Sequence, residues 1–217
     1  MKKNLTEIVF ILDRSGSMGG LEEDTIGGFN AMIEKQKKEP GEAVISTVIF
    51  DNVSEVIHDR VDAQQIPLMT REDYWVRGCT ALLDAVGDAI HHIGNVHKYA
   101  RREDIPQKTI FVITTDGMEN ASRRYDYDRV KTMIQQRQQQ GWEFLFLGAN
   151  IDAAREAARF GIREDCAADY HADHQGTEVI YDTLGDALCN MRECPTAPVN
   201  SGWKRSITED FNRRRRK

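Results

Sequence analysis

The chain has 217 residues, of which 40% are hydrophobic and 29% charged, a composition typical of a folded globular protein and not of a disordered chain. Its 29 basic and 35 acidic residues give a net charge of -6. Seven basic side chains lie in residues 203–217, which leaves 22 basic against 33 acidic residues in the rest of the chain. This acidic balance argues against a nucleic-acid-binding face on the main body.

Buried strands and helices alternate along most of the chain. Apolar, β-branched runs predict the strands, and apolar residues at helical spacing predict the helices between them. In chain order, the predicted strands cover 7–13, 43–50, 54–61, 109–115, 142–147 and 166–172. The predicted helices cover 26–33 (ending before Pro40), 81–96, 128–140, 152–160 and 177–191, with a loop and a short helix expected over 66–78.

This order of elements predicts an α/β fold: a doubly wound, Rossmann-like, mostly parallel sheet with helices on both faces. Residues 54–61 follow a hairpin turn and alternate in polarity, so we expect them to form one antiparallel edge strand. No internal repeat or long linker interrupts the pattern before residue 194. We therefore expect one domain over residues 1–193 and a flexible basic C-terminal tail over 194–217.

Neither a membrane span nor an export signal is expected, because the longest early apolar run, Ile8–Leu12, has only five residues. The four cysteines are accordingly expected to be free thiols. These observations favour a cytoplasmic protein without a membrane partner.

Three polar loops are expected at the carboxyl edge of the sheet, where doubly wound proteins bind their ligands. The first strand ends in Asp-Arg-Ser-Gly-Ser, the loop before the second long helix contains Gly-Cys-Thr, and the strand at 109–115 runs into Asp-Gly. Oxygen donors from these loops suit a hard divalent cation such as Mg²⁺. The candidate ligands are two carboxylates and three hydroxyls: Asp13, Ser15, Ser17, Thr80 and Asp116.

These loops resemble the metal-ion-dependent adhesion site of the von Willebrand factor type A domain. The resemblance rests on Asp-x-Ser-x-Ser at 13–17, the Thr at 80 that opens a helix and Thr-Asp-Gly at 115–117, and it covers roughly residues 5–192. It implies a Rossmann-like fold, bound Mg²⁺ or Mn²⁺ and a protein partner. It also implies that all five candidate residues hold the metal, the carboxylates directly or through water.

A site with only two acidic ligands leaves the metal open to a further ligand of negative charge, such as a carboxylate from a protein partner. The expected function is therefore a divalent-metal-dependent protein-interaction module that binds an acidic residue of its partner. The alternative is a metal-dependent hydrolase that uses the same strand-end site. An enzyme is the less favoured interpretation, because no base or nucleophile is evident beside the proposed metal.

This sequence does not match the motifs of other enzyme classes. A phosphatase of the haloacid dehalogenase type needs a second Asp two positions after the first, where this chain has Ser15. A serine hydrolase elbow needs Gly two positions before its nucleophile, and Ser15 again occupies that place ahead of Ser17. No phosphate-binding Gly-x-x-x-x-Gly-Lys sequence is present. The structural alternative is that the Asp and Ser residues only cap helices.

Several other side chains have two interpretations. Cysteines and histidines near the C-terminus could suggest a zinc site: Cys166, His171, His174, Cys189 and Cys194. Their spacing matches no usual zinc pattern. A polar edge strand explains the histidines equally well. Three histidines of the second long helix are expected to face solvent: His91, His92 and His97. Four polar residues at strand ends either shape the rim of the site or are simply solvated: Asp51, Glu119, Asn120 and Asp152.

Two further segments are ambiguous. Tyr74 and Trp75 either anchor a partner on the binding face or cover the sheet edge. The Arg213–Lys217 run either contacts nucleic acid or an acidic protein surface, or is a solvated tail. Nucleic acid is therefore an unlikely partner except through this run.

Overall fold

A six-stranded sheet forms the centre of this computed structural model, which describes residues 1–197 and 199–215. In chain order the strands are β1 (Lys2–Asp13), β2 (Glu42–Phe50), β3 (Ser54–Asp62), β4 (Pro106–Thr115), β5 (Glu143–Ala149) and β6 (Ala167–Tyr170). Their order across the sheet is β3-β2-β1-β4-β5-β6, and every neighbouring pair is parallel except β2 with β3. The predicted mostly parallel sheet with one antiparallel edge strand is confirmed.

The described residues also form six α-helices: α1 (Glu22–Lys38), α2 (Leu82–Tyr99), α3 (Tyr127–Gln138), α4 (Ala153–Arg159), α5 (His174–Glu193) and α6 (Arg205–Arg215). α1 packs against α5, whereas α2 packs against α3 and α3 against α4, so helices cover both faces of the sheet. The short helix expected within 66–78 does not form, and a 3₁₀ turn lies just before this segment, at Ala63–Gln65. Within 1–197 and 199–215, no helix combines the length and apolar character needed to cross a membrane.

The two central strands, β1 and β4, contain the most deeply buried part of the core. Residues 8–12 of β1 and 110–113 of β4 are each at most 1% exposed. Because helices cover both faces of the sheet, these strands are continuous apolar runs without polar alternation. From β1 the chain first winds outward to β2 and later returns to β4 on the other side. This reversal opens a crevice at the carboxyl ends of β1 and β4.

Glu7 is a fully buried carboxylate on β1. It lies 2.6 Å from Nε2 of His97, accepts a 3.3 Å hydrogen bond from the Thr109 hydroxyl and pairs with Arg60. The His97 side chain is only 12% exposed and contacts the Trp142 ring edge to face. The prediction that His97 faces solvent is therefore wrong, because a buried carboxylate requires polar partners and His97 is one of them.

A helix, α6, occupies much of the segment predicted to be a flexible tail. It packs on α5 and on the edge strand β6, with Ile207 buried. Arg214, from the basic run, forms ion pairs with Asp173 and Asp210. Residues 205–215 therefore form a helix that the Arg214–Asp173 ion pair joins to the N-terminal end of α5, and the flexibility of the tail remains a prediction.

Part of that segment stays untested. Pro198, Arg216 and Lys217 belong to it and lie outside the described residues. The domain boundary at residue 193 remains a prediction.

Replacing the buried carboxylate by Glu7→Ala should lower the free energy of unfolding by about 3 to 5 kcal/mol, because Arg60 and His97 lose their buried partner. Urea unfolding followed by circular dichroism measures the change. The matched control is Glu42→Ala, which removes an exposed ion pair with Lys2 and should cost less than about 1 kcal/mol. Equal losses in the two variants would contradict a structural role for the Glu7 cluster.

Candidate metal centre

All five predicted ligands lie at the carboxyl edge of the sheet, on three separate loops. Asp13 is the last residue of β1, Asp116 follows the last residue of β4, and Thr80 lies two residues before α2. β1 and β4 are neighbours in the sheet, with Leu12 opposite Thr114. The two carboxylates therefore leave adjacent strands at the crevice.

The hydroxyl groups of these loops lie close to the Asp116 carboxylate. Ser17 Oγ donates a 2.5 Å hydrogen bond to Asp116 Oδ1 and lies 3.1 Å from Ser15 Oγ. A methyl group at Gly117 would lie 3.4 Å from both Ser17 Oγ and Thr80 Oγ1. The structure thus gathers the side-chain oxygens of three loops around Asp116, as the motif spacing predicts.

Asp13 fixes the shape of the first loop. Its Oδ1 accepts the Ser15 N–H at 2.7 Å and its Oδ2 accepts the Thr115 hydroxyl at 2.6 Å, while Tyr74 donates its hydroxyl to the Asp13 carbonyl. The Ser15 side chain makes no capping hydrogen bond to the 3₁₀ turn that follows, and α1 begins after Leu21. Helix capping therefore does not explain the Asp and Ser residues of this loop.

The second and third loops are tied to each other through side chains on the third. Asn120 Oδ1 accepts the Thr80 N–H at 2.9 Å, and Glu119 Oε2 accepts the Leu83 N–H at 2.8 Å in the first turn of α2. Gly78 has a φ of +70°, and a Cβ there would collide with the Asn52 side chain. The loop before Thr80 therefore requires glycine at this position.

Asp84, in the first turn of α2, secures the rest of the third loop. Its carboxylate accepts the backbone N–H groups of Arg123, Arg124 and Tyr125 at 2.9 to 3.0 Å. Burial acts to raise the pKa of Asp84, but these three hydrogen bonds outweigh it and leave the pKa below its usual value. An ionised Asp84 thus holds the loop after β4 against α2.

Burial raises the pKa of both carboxylates in the cluster. For Asp13, hydrogen bonds from Thr115 and Ser15 partly offset the effect. For Asp116, burial and the nearby charge of Asp13 outweigh the Ser17 hydrogen bond, and the pKa rises to about 6. Asp116 Oδ2 is buried and has no hydrogen-bond partner in the described part of the chain. A cation bound at this oxygen would supply both the missing partner and the missing positive charge.

Arg14, between two of the predicted ligands, is fully buried and is not among the predicted site residues. Its Nε lies 3.0 Å from Asp51 Oδ2, and its Nη2 lies 3.0 Å from a Glu55 carboxylate oxygen. Its guanidinium also lies 4.9 Å from the centroid of the Trp75 ring. The only sequence signal was a basic residue inside an otherwise small and polar loop.

The residues considered for the rim are engaged in structural contacts. Asp51 binds Arg14 and Arg77, and Asp152 caps α4 by accepting the Arg155 N–H at 2.9 Å. Glu119 and Asn120, described above, connect loops. Their positions at strand ends are explained by these contacts without a direct role in metal binding.

The two aromatic residues that precede Thr80 differ in their exposure to solvent. Tyr74 is 1% exposed and bound to β1 through its hydroxyl, so it covers the sheet edge. Trp75 is 41% exposed on the same loop. Only Trp75 is available to a partner.

The zinc alternative receives no support. Across residues 1–197 and 199–215, no group of three or more His, Cys, Asp or Glu side chains is arranged to hold a metal ion. Cys166 is buried, and burial raises the pKa of its thiol to about 12. His171 stacks on Phe211 at 4.6 Å between ring centroids. The candidate Mg²⁺ or Mn²⁺ site is not a cluster of this type, because hydroxyl groups supply most of its donor atoms.

No protein-family profile and no curated protein matches this sequence. Solved structures do match it. The vWF domain of the type V pilus tip protein Mfa5 from Porphyromonas gingivalis is 10% identical, with 84% of this chain and 94% of that chain covered and a TM-score of 0.60. Proximal thread matrix protein 1 from the mussel byssus, with a zinc-occupied MIDAS motif, is 14% identical over 85% of this chain and 46% of that one, with a TM-score of 0.58.

A third match is the manganese-loaded TRAP protein of Plasmodium vivax, 18% identical over 68% of this chain and 58% of that chain, with a TM-score of 0.51. This chain spans about half the length of the mussel protein and of one further match, the ArnB paralog VWA2 from Sulfolobus acidocaldarius. Identities this low establish a common fold and leave the activity to be tested. The chain has the fold of a von Willebrand factor type A domain.

Proposed function

We propose that this protein is a divalent-metal-dependent protein-interaction module. The ion, Mg²⁺ or Mn²⁺, is held by the side-chain oxygens of Asp13, Ser15, Ser17, Thr80 and Asp116. A carboxylate from the partner completes its ligand set. The observation that supports this most directly is the buried, unpartnered Oδ2 of Asp116 beside the Ser17 hydroxyl.

The donor set fits a hard cation. Carboxylate and hydroxyl oxygens are the ligands that Mg²⁺ and Mn²⁺ prefer, and Mg²⁺ commonly retains waters alongside one or two carboxylates. Both Asp13 oxygens already accept hydrogen bonds within the loop, so Asp13 acts chiefly through water and by holding the loop. Asp116 is the direct anionic ligand. A bound ion supplies a strong positive charge that attracts an anionic group of the partner.

Among the residues that the structure describes, the hydrolase alternative lacks a positioned base. Asp51 is neutralised by two arginines, and Glu119 accepts backbone hydrogen bonds from Leu83 in the first turn of α2 and from Ala121 in its own loop. Asp84 and Asp88 pair with Arg124. The carboxylates at this edge of the sheet are thus engaged in holding loops, which favours binding over hydrolysis.

Titration of Mg²⁺ and Mn²⁺ into metal-stripped protein should show saturable binding by calorimetry. Asp13→Ala and Asp116→Ala should each weaken it at least about tenfold, since a ligand or the loop that positions it is lost. Asp152→Ala removes a carboxylate at the end of another strand and should leave binding unchanged. Absence of binding to the wild type, or equal binding by all variants, would contradict the proposed site.

Asp116→Asn should stabilise the metal-free protein above pH 7 and remove its stabilisation by metal. Folding raises the pKa of Asp116 from 3.8 to about 6. The contribution of the protonated carboxyl group to the free energy of unfolding is therefore complete below pH 3.8 and is lost as the pH rises through about 6. Above that pH the charged carboxylate lowers stability by about 1 to 3 kcal/mol, and the neutral amide avoids this loss.

Urea unfolding at low and high pH, with chelator or with Mg²⁺, measures both effects. In chelator, the Asn variant should exceed the wild type at high pH and match it near pH 4. In saturating Mg²⁺ the order should reverse, because only the wild type binds the ion. An Asn variant that is destabilised equally at both pH values in chelator would show that burial of the charge is not the dominant effect.

A further inference from the structure

Three exposed apolar side chains lie at the same edge of the sheet as the candidate metal site. Large apolar residues that the described structure leaves exposed are Met1, Val53, Val56, Leu68, Trp75, Tyr99 and Met118. Three of them lie on loops at the carboxyl edge of the sheet: Val53 after β2, Trp75 before α2 and Met118 after β4. Exposed apolar groups beside a ligand site are typical of an interaction surface.

Trp75 is held rigidly next to the first metal-binding loop. The guanidinium of Arg14 lies 4.9 Å and that of Arg77 5.5 Å from the centroid of its ring. Both arginines bind the same buried carboxylate, Asp51. The preceding residue, Tyr74, is bonded to the Asp13 carbonyl. An aromatic ring fixed in this way loses little conformational entropy when a partner covers it.

Met118 lies on a different loop, the one that carries Asp116. It follows Gly117, where an added Cβ would lie 3.4 Å from the Ser17 and Thr80 hydroxyl oxygens, and it is 61% exposed. The flexible thioether side chain of methionine adapts to apolar groups of different shape. Trp75, next to the first ligand loop, and Met118, on the loop of Asp116, therefore offer one rigid and one adaptable apolar group at this edge of the sheet.

The charges at this edge favour an acidic partner. Arg123 is exposed, and its side chain has no ion-pair partner among the residues that the structure describes. The nearby Arg124 is neutralised by Asp84 and Asp88. The metal ion and Arg123 are thus two positive groups that can attract an acidic ligand.

We infer that the partner is a protein segment in which an Asp or Glu adjoins a large apolar residue. The carboxylate binds the metal, and the apolar side chain packs on Trp75 and Met118. This inference rests on the proposed function, since it assigns the partner chemistry of the same site. It gives Trp75 and Met118 the role of specificity-determining contacts.

Selection of short random peptides on the 217-residue chain in the presence of Mg²⁺ tests the inference. The enriched peptides should share an acidic residue within two positions of a large apolar one, and chelator should release them. Trp75→Ala and Met118→Ala should each weaken binding of a synthesised consensus peptide, Trp75→Ala by at least about tenfold. Trp75→Phe should restore most of the affinity.

Tyr99→Ala is the matched control, because Tyr99 is an exposed aromatic residue at the far end of α2. It should bind the peptide as the wild type does. Calorimetry with Mg²⁺ alone separates the two claims. If the wild type binds Mg²⁺ but Trp75→Ala and Met118→Ala bind the peptides unchanged, or no acidic-apolar consensus emerges, the inference is overturned and the metal site stands. If the wild type binds no Mg²⁺, the proposed function itself fails.

Discussion

Two buried carboxylates, Asp13 and Asp116, end the neighbouring parallel strands β1 and β4, at the point where the sheet reverses its winding direction. Burial disfavours both charges, so the surrounding loops must supply polar partners. Thr115 and Ser17 meet part of that need, whereas Oδ2 of Asp116 has no partner in the described structure. A divalent cation bound here, as proposed above, would offset both charges at once.

The loops around this pair are fixed largely by contacts between side chains and the backbone. Asp84 holds the loop after β4, and Glu119 and Asn120 join that loop to the start of α2. Arg14 connects the first loop to Asp51 at the end of β2. Because these groups are already bonded to one another, the ligand oxygens are gathered with little further ordering. Such preorganisation favours tight binding of the ion and of a partner.

The central sheet and the meeting of the candidate ligands at its carboxyl edge could be predicted because both depend on local patterns. Continuous apolar runs marked the buried strands, and oxygen-bearing residues at their ends marked the crevice. The contacts of Glu7 with His97 and Arg60 could not be predicted, since these residues are far apart in sequence and meet only in the folded sheet. The packing of α6 could not be predicted for a related reason: the segment has few apolar residues, and its attachment depends on Ile207 and on the ion pair of Arg214 with the distant Asp173. Tyr74 and Trp75 are adjacent in sequence, and only the fold shows which of them is exposed.

The most direct test of the central claim is to locate manganese in crystals of the protein grown with Mn²⁺, from its anomalous diffraction. The account predicts one strong peak among the hydroxyls of Ser15, Ser17 and Thr80 and the carboxylate of Asp116. A peak at another place, or no peak in crystals saturated with Mn²⁺, would contradict the claim that these loops form a metal site.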